Sequence, residues 1–131
     1  MRTIDDYFSS LTRFLEKRKS IVALEPKHPF QRITEEFGRI NARLRFFDDS
    51  YLDIDEMIRI EHGVAVNYNY RYHYQRQDGP VFTYDDTPHH PELETFPHHK
   101  HPYQSGQRRT EAYSKVTLIQ IIQEIDERMS K

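Results

Sequence analysis

The hydrophobic positions along the chain change period twice. Between residues 3 and 18, Ile4, Tyr7, Phe8, Leu11, Phe14 and Leu15 recur at helical spacing, which predicts an amphipathic helix. Thr3 stands at the N-cap position, Asp5 and Asp6 follow in the first turn, and Lys17, Arg18 and Lys19 suit the negative end of the helix dipole. Ile21 to Leu24 reads as a short strand, and residues 25–34, with Pro26 and Pro29, as a loop. From Phe37 the period becomes two. Ile40, Ala42, Leu44 and Phe46 alternate with Arg39, Asn41, Arg43 and Arg45. After a turn at Asp48, Asp49 and Ser50, Leu52, Ile54, Ile58 and Ile60 alternate with Asp53, Asp55 and Arg59; Glu56 falls on the apolar side. His62 and Gly63 turn the chain into a third strand. In it Val64, Val66, Tyr68, Tyr70, Tyr72 and Tyr74 face one way, and Asn67, Asn69, Arg71, His73 and Gln75 the other. Gln77-Asp78-Gly79 is a hairpin signal, and Val81 to Asp85 forms the next strand.

This pattern predicts an α+β domain over residues 1–131. It has an N-terminal helix, an antiparallel β-meander of four to six strands and a C-terminal helix, with the helices forming a second layer on the sheet's apolar face. Residues 86–106 are rich in Pro and His and read as an irregular loop, the kind of long segment that tends to carry function. Residues 108–113 read as one last short strand. Thr117 and Gln120 form a Thr-x-x-Gln capping box ahead of the stripe Leu118, Ile121, Ile122 and Ile125.

Composition narrows the function classes. Lys and Arg number 19 against 21 Asp and Glu, a net charge of −2, so nucleic acid is attracted only by a local patch. The absence of cysteine removes disulfides, thiolate catalysis and thiolate zinc sites. No apolar run is long enough to span a membrane and no signal peptide is expected, so a cytoplasmic protein without membrane contact is expected. Of eight histidines, five lie between positions 89 and 101.

The stretch from Tyr70 to His101 carries a resemblance. It runs Tyr-Arg-Tyr-His-Tyr-Gln, then Gln-Asp-Gly, then Val-Phe-Thr-Tyr-Asp-Asp-Thr-Pro-His-His, and ends Thr-Phe-Pro-His-His-Lys-His. It resembles the TumE-like toxins of prokaryotic toxin–antitoxin pairs in its aromatic strand around His73, its Tyr84-Asp85 pair, its Pro88-His89-His90 segment and its closing Pro97 to His101 motif. One departure is Asp86, where the pattern leads one to expect Asn. The resemblance implies a toxin with a cognate antitoxin protein as partner, and RNA as the expected target.

Metal-independent RNA cleavage needs one proton removed from the 2′-OH, one delivered to the 5′-oxygen, and cationic stabilisation of the phosphorane between them. Imidazole suits both transfers because its pKa of about 6.5 lies near working pH. The expected catalytic residues are therefore His73, His99, Lys100, His101 and Arg71. His99 and His101 share the acid and base roles, Lys100 and Arg71 stabilise the phosphate, and His73 orients or substitutes as base. Arg43, Arg45, His90 and His98 are expected to bind substrate, although Arg39, Arg43 and Arg45 also face Asp53 and Asp55 as cross-strand ion pairs would. No cofactor is expected. The alternative is a divalent metal such as zinc: His99 and His101, two apart, point the same way in an extended segment, and His89, His90 and Asp85 could add ligands. Two other functions compete, a non-catalytic protein-interaction module and a metal-dependent or nucleotide-transferring enzyme using the His cluster. A homodimer through a sheet edge is permitted.

Overall fold

A computed structural model describes residues 2–130. Helix α1 (Ile4–Glu16) starts at the expected capping box: the Asp6 amide donates to Thr3 Oγ1 at 3.2 Å, and the Thr3 amide to Asp6 Oδ2 at 3.1 Å. Ile4, Phe8, Leu11 and Leu15 form its buried stripe. At the other end of the chain α2 (Leu118–Met129) carries the Thr117–Gln120 capping box and buries Leu118, Ile121, Ile122 and Ile125.

Between the helices lies an antiparallel sheet of nine strands, more than the four to six expected. They are β1 (Ile21–Glu25), β2 (Phe30–Arg32), β3 (Phe37–Phe46), β4 (Tyr51–Glu61), β5 (Val64–Arg76), β6 (Gly79–Asp85), β7 (His99–Gln104), β8 (Gln107–Arg108) and β9 (Glu111–Ala112). The order is β1-β3-β4-β5-β6-β7-β8, with β2 also on β3 and β9 also on β7. The expected meander is β3 to β6. Beyond the expected strands, β2 and β8 are three and two residues long, too short for a period to declare itself, and β7 opens on His, Lys, His and Pro rather than β-branched residues; the expected strand over 108–113 is reduced to the two-residue β9, with Arg108 ending β8. So β2 lies within the expected loop 25–34, and β7 within the expected irregular stretch 86–106.

Both helices cover the apolar face, where Tyr72, Tyr74, Tyr84, Phe46 and Phe82 are the largest fully buried side chains. Polar atoms among them are paired. Tyr84 Oη donates to Glu124 of α2 at 2.6 Å, and Tyr72 Oη and Tyr7 Oη donate to Glu56 at 2.7 and 3.2 Å. Glu56, the charge on the apolar side of its strand, is thus a buried hydrogen-bond acceptor. Gly38 lets α1 approach β3: a Cβ there would lie 2.5 Å from Ile4 Cγ1 and 2.7 Å from Phe8 Cζ.

The expected alternation of β5 fails in its first half. Asn69 adopts a left-handed backbone (φ 48°), and the β4–β5 register shifts between Asp55 and Met57. This bulge reverses which face the residues before it present. Asn67 is buried, donating to Tyr72 Oη and the Val116 carbonyl, while Tyr68 turns to the polar face under Arg59. Asp86 holds the bulge: its carboxylate accepts from the amides of Asn69 and Tyr70, each at 2.9 Å. No described helix is long and apolar enough to cross a membrane.

Candidate functional site

Strand register arranges the polar face in transverse rows. Asp53, His73, Thr83 and His101 stand opposite one another across β4, β5, β6 and β7, and Asp55, Arg71, Asp85 and His99 form the next row. Residues on one face of neighbouring strands are in side-chain reach, so Asp85, His99 and His101 are brought together by sheet pairing alone. All three are buried, at 5, 3 and 1% exposure.

The loop 86–98 supplies the cover. Short turns, with Leu93 N bonded to His90 O, Phe96 N to Leu93 O and His98 N to Thr95 O, fold it back over this end of the polar face. Thr95 Oγ1 donates to the His98 carbonyl and accepts the Tyr113 amide, which ties the loop to the chain beyond β9. The half-buried His90 ring thereby comes to 5.1 Å from that of His99 and 5.8 Å from that of His101, and the latter two lie 4.7 Å apart.

Hydrogen bonds fix which ring nitrogens face inward. His99 Nδ1 is 2.9 Å from the Pro97 carbonyl, and His101 Nδ1 is 3.0 Å from the Arg109 carbonyl. A carbonyl only accepts, so both Nδ1 atoms carry hydrogen and both Nε2 atoms turn toward Asp85. His99 Nε2 stands 2.6 Å from Asp85 Oδ1; His101 Nε2 stands 3.7 Å from Oδ2, beyond hydrogen-bonding distance. His99 thus has an acceptor at each nitrogen. A neutral imidazole has one N–H, so the second contact calls for a further proton, on the ring or on the carboxyl, or for another cation in its place. Burial pushes the His101 imidazole below its ordinary pKa, with the Arg108 charge adding to the effect; the bond to the Arg109 carbonyl opposes it. With hydrogen on Nδ1, the neutral form of the ring has its lone pair on Nε2. One ligand nitrogen from each of His90, His99 and His101 lies within 4.8 Å of the other two.

Of the residues expected in the site, His99, His101 and His90 meet. Arg71 stands opposite Asp85, exposed, with no ion pair among the described residues. Lys100 points away, because neighbours on a strand alternate faces. Its Nζ lies 4.8 Å from the Tyr84 ring and 5.4 Å from Tyr113. His73 is spent on neutral partners, Thr83 Oγ1 at 2.7 Å and Gln75 Oε1 at 2.9 Å, and stands two strands from His101. His98 stacks on Tyr70, its Nδ1 2.9 Å from Tyr70 Oη. Arg43 forms a bidentate pair with Asp53 at 2.7 and 3.0 Å, and Arg45 pairs with Glu25, so neither presents a free charge to a phosphate. Asp85 is the central residue left out of the expected catalytic set. Its strand position beside Tyr84 fitted a turn role equally well, and it does also cap Thr87 N at 3.1 Å.

Comparison with known proteins agrees with this extent of ordered structure. A family model described as Toxin TumE matches residues 11–129, from within α1 to the last residue of α2. No curated protein and no solved structure matches the chain.

Proposed function

The chain belongs to the TumE toxin family, and we propose that this toxin component of a toxin–antitoxin pair acts by cleaving RNA at the cluster of Asp85, His90, His99 and His101. The gathering of three imidazoles within 4.8 Å of one another, with the Asp85 carboxylate against His99, is the observation that carries this reading. A structural cluster needs no such count of titratable groups, and it would satisfy each ring with a fixed partner, as His73 is satisfied by Thr83 and Gln75. Arg71 and Arg108 are exposed cations near Asp85 and His101. They lie where they can face the non-bridging oxygens on which negative charge grows as a phosphodiester breaks. The family implies a cognate antitoxin, whose simplest inhibitory action in this reading is to cover this end of the polar face.

The test is incubation of the purified protein with a mixed RNA pool and analysis of fragment ends. In attack by the ribose hydroxyl, the P–O2′ bond forms as the P–O5′ bond breaks, leaving a 2′,3′-cyclic phosphate and a 5′-hydroxyl. Attack by water leaves a terminal phosphate and a hydroxyl. Either pattern, lost in His101→Ala and retained in Lys100→Met, supports the reading; RNA that stays intact overturns it.

A further inference from the structure

We propose that His90, His99 and His101, completed by Asp85, bind a single divalent transition-metal ion of the zinc class. This deepens the reading of the same site, but ion binding does not depend on RNA being the substrate.

Four observations carry it. First, the donor set is three imidazoles and one carboxylate, which suits zinc and its neighbours and is poor for magnesium or calcium, whose ligands are oxygens. Second, His99 and His101 are already held as metal-binding histidines usually are: each gives its Nδ1–H to a backbone carbonyl, Pro97 or Arg109, which fixes the tautomer and leaves Nε2 to coordinate. Third, His99 Nε2 already faces the Asp85 carboxylate at 2.6 Å, so a nitrogen and an oxygen donor stand side by side, and a modest separation of the two lets both reach one ion. Fourth, His101 Nε2 has a lone pair aimed at Asp85 from 3.7 Å, with no donor to satisfy it.

The geometry is near a coordinating one and short of it. Zinc–nitrogen bonds of about 2.0–2.1 Å set tetrahedral ligand atoms roughly 3.3 Å apart, against the 4.8 Å limit that contains the three nitrogens here. Two adjustments close the difference: His90, which is half-exposed and sits on the covering loop, moves inward, and the Asp85 carboxylate draws back from its 2.6 Å contact with His99, while His99 and His101 are held by β7. His90 Nδ1 already faces Glu92 at 3.1 Å, so it too leaves Nε2 for the ion.

The experiment uses the full chain, stripped with a chelator and dialysed. Zn²⁺ is titrated by calorimetry, and Co²⁺ by its visible absorption. One ion per chain is expected, with cobalt absorption of the intensity of a four-coordinate site. His90→Gln should weaken Zn²⁺ binding at least ten-fold without changing the circular dichroism, since the ring is outside the core. His101→Gln should weaken it further, and the exposed His89→Gln should leave it unchanged. Absence of saturable uptake, or equal binding by wild type, His90→Gln and His101→Gln, overturns the proposal. The two readings fail separately. RNA cleaved by protein that takes up no metal removes the metal and keeps the nuclease; stoichiometric metal with intact RNA does the reverse.

Discussion

His99 Nε2 and Asp85 Oδ1 lie 2.6 Å apart, on residues that stand directly opposite in the β6–β7 ladder. The contact is therefore set by strand register and not by the loop that covers it. A slip of one residue of β7 along β6 would send His99 and His101 to the apolar face while Asp85 stayed on the polar one, and the contact would be lost. The shape of the sheet and the chemistry of the site are thus one constraint.

That pair should bear on both stability and activity. Asp85→Ala removes the partner of the buried His99 imidazole and the cap of Thr87 N, and leaving a buried polar group without its hydrogen-bond partner costs about 1–3 kcal/mol. Unfolding in urea should show a loss of that order. Asp85→Asn, which keeps the shape and an acceptor, should lose much less stability and yet abolish toxicity to growing cells. Full toxicity of Asp85→Asn would remove Asp85 from the site.

Lys100 and Arg71 separate position in the sequence from position in space. Lys100 sits between the two buried histidines, but its ammonium lies over the Tyr84, Tyr113 and Phe82 rings on the opposite face. Lys100→Met should cost roughly 0.5–1 kcal/mol, the scale of exposed cation–π contacts, and leave toxicity intact. Arg71→Ala should leave stability within about 0.5 kcal/mol, as for a surface residue without a partner, and reduce toxicity markedly. The reverse pattern in a growth assay would relocate the site to the helix-covered face.

What the sequence disclosed follows from which interactions are local. The capping boxes at Thr3 and Thr117 and the apolar stripes of α1 and α2 are set by residues within two turns, and all were readable. The β3 to β6 meander was readable because β3 and β4 repeat an alternation over ten and eleven residues, and the second half of β5 and β6 continue it on either side of a hairpin signal. The flip at Asn69 was not, since the carboxylate that stabilises it comes from Asp86, 17 residues away. The same holds for β7: its pairing with β6 assembles Asp85 with His99 and His101, while its own sequence, His-Lys-His-Pro, has none of the marks of a strand. The spacing of His99 and His101 did point both to one side. That Lys100 must then point to the other follows from the same alternation.

The bulge itself is open to measurement. Asn tolerates a left-handed backbone far better than a β-branched residue does, so Asn69→Val should cost about 1–3 kcal/mol while Asn69→Gly stays within about 1 kcal/mol of wild type. Asp86→Ala, which frees the amides of Asn69 and Tyr70, should cost about 1–3 kcal/mol. Asp86→Asn retains one acceptor oxygen and should fall between wild type and Asp86→Ala. Equal midpoints in urea for wild type, Asn69→Val and Asp86→Ala would mean the bulge is not what sets the phase of β5.

Glu56 makes stability depend on pH in a direction opposite to that of most carboxylates. Burial pushes its carboxyl up to about 7, against hydrogen bonds from Tyr72 and Tyr7 and the charge of Lys115, which favour the ionised form. The hydroxyls of Tyr7 and Tyr72 are themselves pushed up by burial, so neither exchanges a proton near neutrality. The folded chain therefore holds the Glu56 proton more tightly than the unfolded chain, whose carboxyl titrates near 4.5. This contribution is fully present below about pH 4.5, declines as the unfolded chain ionises, and is lost as pH rises through about 7. Its full size is about 3 kcal/mol, at 1.36 kcal/mol for each tenfold change in proton affinity. Gln at this position imitates the protonated acid at every pH. Glu56→Gln should thus gain on the wild type steadily between pH 5 and pH 8 in urea unfolding. Parallel stability curves for the two proteins across that window would show that Glu56 is ionised in the folded chain throughout.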